Sequence, residues 1–91
     1  MASLDRVKAR IQKLAGGSRT NLMLSDIAWV VEHLGRNGYR IAERDFAHGK
    51  LFTVNSRRFH VCCHNPGNSQ IKRCYVDEFV EAMIELGLYE D

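Results

Sequence analysis

Apolar residues recur every three or four positions in three stretches of this chain, and alternate with polar ones between the second and third. Leu4, Val7, Ile11 and Leu14 form the first stripe, with Arg6, Lys8, Arg10 and Lys13 on the other faces. That spacing predicts an amphipathic, basic helix ended by Gly16-Gly17. Ser18 to Leu24 reads as a connector. Ser25-Asp26 supplies a hydroxyl cap and a first-turn carboxylate, so a second helix is expected to start there. Ile27, Val30, Val31 and Leu34 form its buried stripe, and Gly35 and Gly38 bracket its stop. Trp29 falls off that stripe. Cover by the first helix and service as a base-stacking platform are both open to it. The first is favoured, because nothing basic flanks Trp29 on its own helix.

From Tyr39 the period becomes two. Tyr39 to Arg44 alternates as a half-buried strand does, and Leu51-Phe52-Thr53-Val54 is rich in β-formers. Asn55-Ser56 is a hairpin turn signal. Arg57 to Cys62 resumes a strand, with Phe59 and Val61 on one face and Arg58, His60 and Cys62 on the other. His64 to Ser69 contains the only proline and reads as an irregular loop. Val76, Phe79, Val80, Met83 and Leu86 mark the buried face of a last helix that follows Lys72-Arg73 and stops at Gly87. Short turns force the three strands to pair antiparallel. Two main helices with one apolar stripe each, and a sheet with one face to cover, predict an α+β domain with both helices on one side and the first helix added. The other side of the sheet and its turns are left for a ligand. The expected division is an N-terminal helical extension over 1–20 and an α-β-β-β-α domain over 21–91.

Ninety-one residues make one domain with a modest core, and a 45% hydrophobic fraction argues against disorder. No apolar run approaches the roughly 20 residues of a membrane span. A charged start without a signal-peptide core, and three cysteines without framework spacing, lead us to expect a cytoplasmic protein. Net charge is only +2, but its distribution is uneven. Charges after Cys74 are all acidic. Between Arg36 and Arg73 the cations Arg36, Arg40, Arg44, Lys50, Arg57, Arg58, Lys72 and Arg73 face only Glu43 and Asp45. A basic middle is the footprint expected for a polyanion, and solvated surface charge accounts for it as well. The acidic last helix would repel RNA, which places any RNA on the sheet and the first hairpin turn. That helix also suits a protein partner.

His48 falls at the turn between the first two strands. A histidine held there can act as an acid or base near neutral pH, beside cations able to hold a phosphate. His60, Cys62, Cys63, His64 and Cys74 raise the question of zinc. Adjacent Cys62 and Cys63 on a strand point to opposite faces and do not easily serve one ion, so no metal or other cofactor is expected. Cys63 is instead expected in the core, in phase with Phe59 and Val61.

The order α-β-β-β-α is that of the double-stranded-RNA-binding domain. From Ser25 to Leu88 the chain more narrowly resembles the HicA family of toxins from bacterial type II toxin–antitoxin systems. Leu34-Gly35 through Gly38-Tyr39 leads into the first strand, and His48 stands two residues before Lys50. A hairpin with Arg57-Arg58 leads to a strand ending in His64-Asn65-Pro66. Gln70-Ile71-Lys72-Arg73 opens the last helix, and Glu85-Leu86-Gly87-Leu88 closes it. The resemblance implies a small endoribonuclease that cleaves mRNA without a metal and is neutralised by a HicB-type antitoxin. His48 would then be the catalytic histidine, with Lys50 and Arg58 on the phosphate. His60 or His64 would be the second proton-transfer group, and Arg57, Lys72 and Arg73 further phosphate contacts. Asp45-Phe46-Ala47 precedes the histidine where the family typically carries a glycine and a small hydroxyl residue. A catalytically inactive RNA-binding module and a protein-interaction domain of the same fold are therefore the alternatives.

Overall fold

A computed structural model describes residues 3–17, 22–47, 49–62 and 70–90. Three helices, α1 (Leu4–Gly16), α2 (Leu24–Arg36) and α3 (Arg73–Glu85), accompany a sheet of β1 (Ile41–Phe46), β2 (Gly49–Val54) and β3 (Arg57–Cys62). The sheet is antiparallel in the order β1-β2-β3. This is the α+β layout that the hydrophobic pattern predicts. None of the described helices is long and apolar enough to cross a membrane.

Each helix ends where its chemistry requires. Ser3 caps α1 by accepting the Arg6 N–H at 3.4 Å. α2 starts one residue before Ser25. Asp26 sits at its third position, and its carboxylate accepts the Met23 N–H at 3.0 Å. The carboxylate supplies the backward half of a capping box, and the expected serine hydroxyl cap does not form because Ser25 lies inside the helix. Gly38 (φ +94°) and Gly87 (φ +75°) stand just past α2 and α3 in the left-handed region. Tyr39 N–H donates to Leu34 O at 3.1 Å and Gly38 N–H to Gly35 O at 3.2 Å; Leu88 and Gly87 repeat the pattern on Met83 and Ile84. Both ends are Schellman motifs, which satisfy terminal carbonyls and need a residue without a Cβ penalty.

β1 runs from Ile41 to Phe46 instead of from Tyr39 to Arg44. Phe46 is the cross-strand partner of Gly49, so pairing continues to a two-residue connection. At the other end Tyr39 is committed to the close of α2, and its ring packs on the core. Asn55 (φ 49°) and Ser56 (φ 76°) make the type I′ turn that suits a right-twisted hairpin.

Phe52 and Val54 of β2 and Phe59 and Val61 of β3 point to the helices, where they meet Ile27, Val30 and Leu34 of α2 and Val76, Phe79 and Met83 of α3. The Phe52, Phe59 and Phe79 rings form a chain with centroids 5.7 Å apart at each step. Val7 and Ile11 of α1 are fully buried in the same core. Arg10 of α1 lies 5.0 Å over the Trp29 ring and 3.6 Å from Asp26. His33, one turn on, stacks on the same indole at 4.1 Å. These contacts make Trp29 a clasp between α1 and α2.

Candidate nucleic-acid interface

The strand register divides the predicted site residues between two faces. Successive side chains on a strand alternate sides. Ile41, Glu43 and Asp45 of β1 therefore share the helix side with Lys50, Phe52 and Val54 of β2 and Arg57, Phe59 and Val61 of β3. The open side carries three rows across the sheet: Ala42–Thr53–Arg58, Arg44–Leu51–His60, and Phe46–Gly49–Cys62. The middle of this face is a compact group. Arg44 and His60 flank Leu51, Arg58 stands two residues from His60, and the Phe46 ring tilts against His60 at 6.1 Å between centroids. Phe46 is 47% exposed, the most exposed large apolar side chain among those described.

Lys50 and Arg58, expected together on one phosphate, lie on opposite faces. Lys50 Nζ is 3.4 Å from Asp45 and 3.6 Å from Glu43 on the helix side. Arg57 and Arg58 are divided in the same way. Arg57 forms an ion pair with Glu85 of α3 and donates to the Arg58 carbonyl at 2.7 Å. Arg58 and Arg44 have no carboxylate partner among the described residues.

α3 sends carboxylates to the basic residues. Glu78 Oε1 accepts the His60 backbone N–H at 3.0 Å and lies 3.4 Å from His60 Nδ1. Asp77 is 3.3 Å from Arg73. The Lys72 N–H donates to Cys62 O at 3.1 Å, and Cys62 is the partner of Gly49. The N-terminus of α3, with Lys72 and Arg73, thus lies at the end of the sheet where β2 begins. His48, His64 and Cys63 lie outside the described residues. Gly49, immediately after His48, is tightly enclosed. A Cβ there would stand 2.0 Å from Val61 O and 2.7 Å from Cys62 Cα.

Cys62 also acts on Tyr75. The Cys62 side chain, first by hydrogen bonding and then by electrostatic repulsion of a phenolate, holds the Tyr75 hydroxyl above its ordinary pKa; desolvation, Cys74 and Glu78 push the same way. Among the described residues no group of three or more His, Cys, Asp or Glu is placed to hold a metal ion.

Arg44 and Phe46 belong to the open-face group although neither was singled out from the sequence as a ligand residue. The two turns contain the missing signal. If Asn55-Ser56 closes one hairpin, Leu51 opposes His60. If Ala47-His48 closes the other, Arg44 opposes Leu51.

No protein-family model, curated protein or solved structure matches the chain.

Proposed function

We propose that this protein binds single-stranded RNA across the open sheet face and cleaves it without a metal, as a HicA-like toxin endoribonuclease. The supporting observation is the grouping of Arg44, Arg58 and His60 around Leu51 and Phe46. Guanidinium groups suit phosphates, and an exposed ring beside them suits a base. Cleavage requires a proton removed from the 2′-hydroxyl, charge stabilised at the phosphate, and a proton supplied to the leaving 5′-oxygen. His48 takes one proton step and His60 or His64 the other, and Arg44 and Arg58 bind the phosphate. The substrate is mRNA in the cytoplasm, and a HicB-type antitoxin neutralises the activity.

A second reading keeps RNA binding and drops cleavage. It is favoured by the carboxylates of Asp77, Glu78 and Glu85, which reach Arg73, His60 and Arg57 and reduce the positive potential beside the sheet.

The test is incubation of the wild type, His48→Ala and Arg44→Ala/Arg58→Ala with mixed-sequence single-stranded RNA in EDTA. The first reading requires cleavage by the wild type and a loss of about 10²–10⁴-fold in His48→Ala. The double variant should weaken binding and lower the salt slope by about one per arginine. Binding without cleavage by any variant selects the second reading. Absence of binding at low salt overturns both.

A further inference from the structure

The two edges of the sheet differ, and the unsealed one has the properties of a docking strand. In an antiparallel ladder, residues alternately turn both backbone groups to the partner strand and both away from it. Arg40 O accepts from Asn55 N–H at 2.9 Å, and Arg40 N–H donates to the Asn55 side chain at 2.7 Å. Residues 42, 44 and 46 therefore face β2, and Ile41, Glu43 and Asp45 present their N–H and C=O groups outward. Among the described residues these outward groups have no hydrogen-bond partner. On the helix side, a groove of about 600 Å³ opens between α2 and β1, with Ala28, Trp29, Glu32, Ile41, Glu43 and Lys50 in its walls.

Charge identifies the occupant. Glu32 and Glu43 line the groove and Asp45 stands beside it on β1. Arg36, outside the wall, pairs with Glu32 at 3.2 Å. Lys50, held between Glu43 and Asp45, is the only cation among the described wall residues, so the carboxylates outnumber the cations by one. A second copy of the chain fits poorly. Two-fold pairing through this strand sets Glu43 against Glu43, or Glu43 against Asp45 with Arg44 against Arg44, and like charges directly opposite destabilise a sheet. A strand with basic residues at alternate positions meets no such opposition.

We propose that the β1 edge accepts an extended segment of a partner protein as a fourth, antiparallel strand. Lysine or arginine of that segment lies opposite Asp45 and Glu43, and an apolar side chain lies opposite Ile41 in the groove beside Trp29. Main-chain bonds supply affinity and the alternate side chains supply specificity. The proposal does not depend on RNA binding, because Glu43 and Asp45 project from the face opposite Arg44, Arg58 and His60.

The probe is the capped peptide Thr-Lys-Thr-Lys-Thr-Leu-Thr, titrated into the isotope-labelled full chain, with Thr-Glu-Thr-Glu-Thr-Leu-Thr as control. The expected result is a shift of the Ile41, Glu43 and Asp45 amides and the Trp29 indole with the lysine peptide alone, and slower exchange of those three amides. Glu43→Pro removes one outward donor while sparing the bonds that residues 42 and 44 make to β2, and should weaken binding by about tenfold. Asp45→Lys leaves the backbone donors in place, at a side chain 81% exposed, and should also weaken binding. Equal binding of both peptides, binding of neither, shifts confined to Leu51, Arg58 and His60, or self-association through β1 would each overturn the proposal.

Discussion

β1 and β3 are both six-residue edge strands of one sheet, and each carries charged or titratable side chains in a half-polar sequence. β3 has Phe59 and Val61 completely buried, while no residue of β1 is. Glu78 closes one outward N–H of β3 and Lys72 one outward carbonyl, while the outward groups of β1 stay unpaired among the described residues. The cause is the neighbouring helix. α3 lies along β3 with a carboxylate at the height of the strand, whereas α2 covers the sheet beside β1 and leaves a groove. A strand's role at an edge is set by what packs on it, more than by its own composition.

The largest effects should come from the core side of this contrast. Phe59→Ala removes a fully buried ring that touches both Phe52 and Phe79, and should cost about 3–5 kcal/mol in denaturant unfolding. Ile41→Ala, at a half-buried position of β1, should cost about 1 kcal/mol or less, since it gives up only part of a side chain's burial. Similar losses at the two positions would mean that β1 is as deeply integrated as β3.

Gly49→Ala tests the strand between them. The new methyl meets backbone atoms of Val61 and Cys62, which cannot swing aside, so the β2–β3 pair must separate locally. A loss on the order of 2 kcal/mol is expected, with faster amide exchange at that end of β3.

Glu78→Ala should unseal β3. It removes the acceptor of the His60 N–H and should cost about 1 kcal/mol, with the His60 amide exchanging faster and the β1 amides unchanged. Unchanged exchange at His60 would show that the contact contributes nothing to closing the edge.

The smallest effect is a pH dependence at the β3 end. The folded-state pKa of Tyr75 is raised, so folding holds its proton more tightly. The resulting stabilisation is complete below the ordinary tyrosine value of about 10, declines as the unfolded chain loses its proton first, and is gone once the pH passes the folded value. Cys62→Ala removes the largest cause. Tyr75 should then ionise at lower pH in a phenolate absorbance titration, and the alkaline decline in stability should become shallower.

The elements were legible because their signals are local. Val7 and Ile11, Val30 and Leu34, and Val76 and Met83 fall at helical spacing and are all buried. Phe59 and Val61 alternate with Arg58 and His60, and the faces divide accordingly. The helix start at Leu24 was obscured because Asp26 bonds backward to Met23, and a carboxylate within the first turn does not look like a cap when read forward. The charge pattern was the weaker guide. Lys50, Arg57, Arg58 and Arg73 read alike as basic residues of one region, yet Lys50, Arg57 and Arg73 have carboxylates within reach and Arg58 has none among the described residues.

Periodicity, glycine placement and two short turns were therefore sufficient for three helices, three antiparallel strands and a sheet covered on one side. Each of these follows from interactions within a few residues or between neighbours in the chain. The pairing of Glu78 with His60 and of Glu85 with Arg57 came only with packing. Both depend on where α3 comes to rest over the sheet, which is decided by the shape of the Phe52, Phe59 and Phe79 core and leaves no periodic trace in the chain.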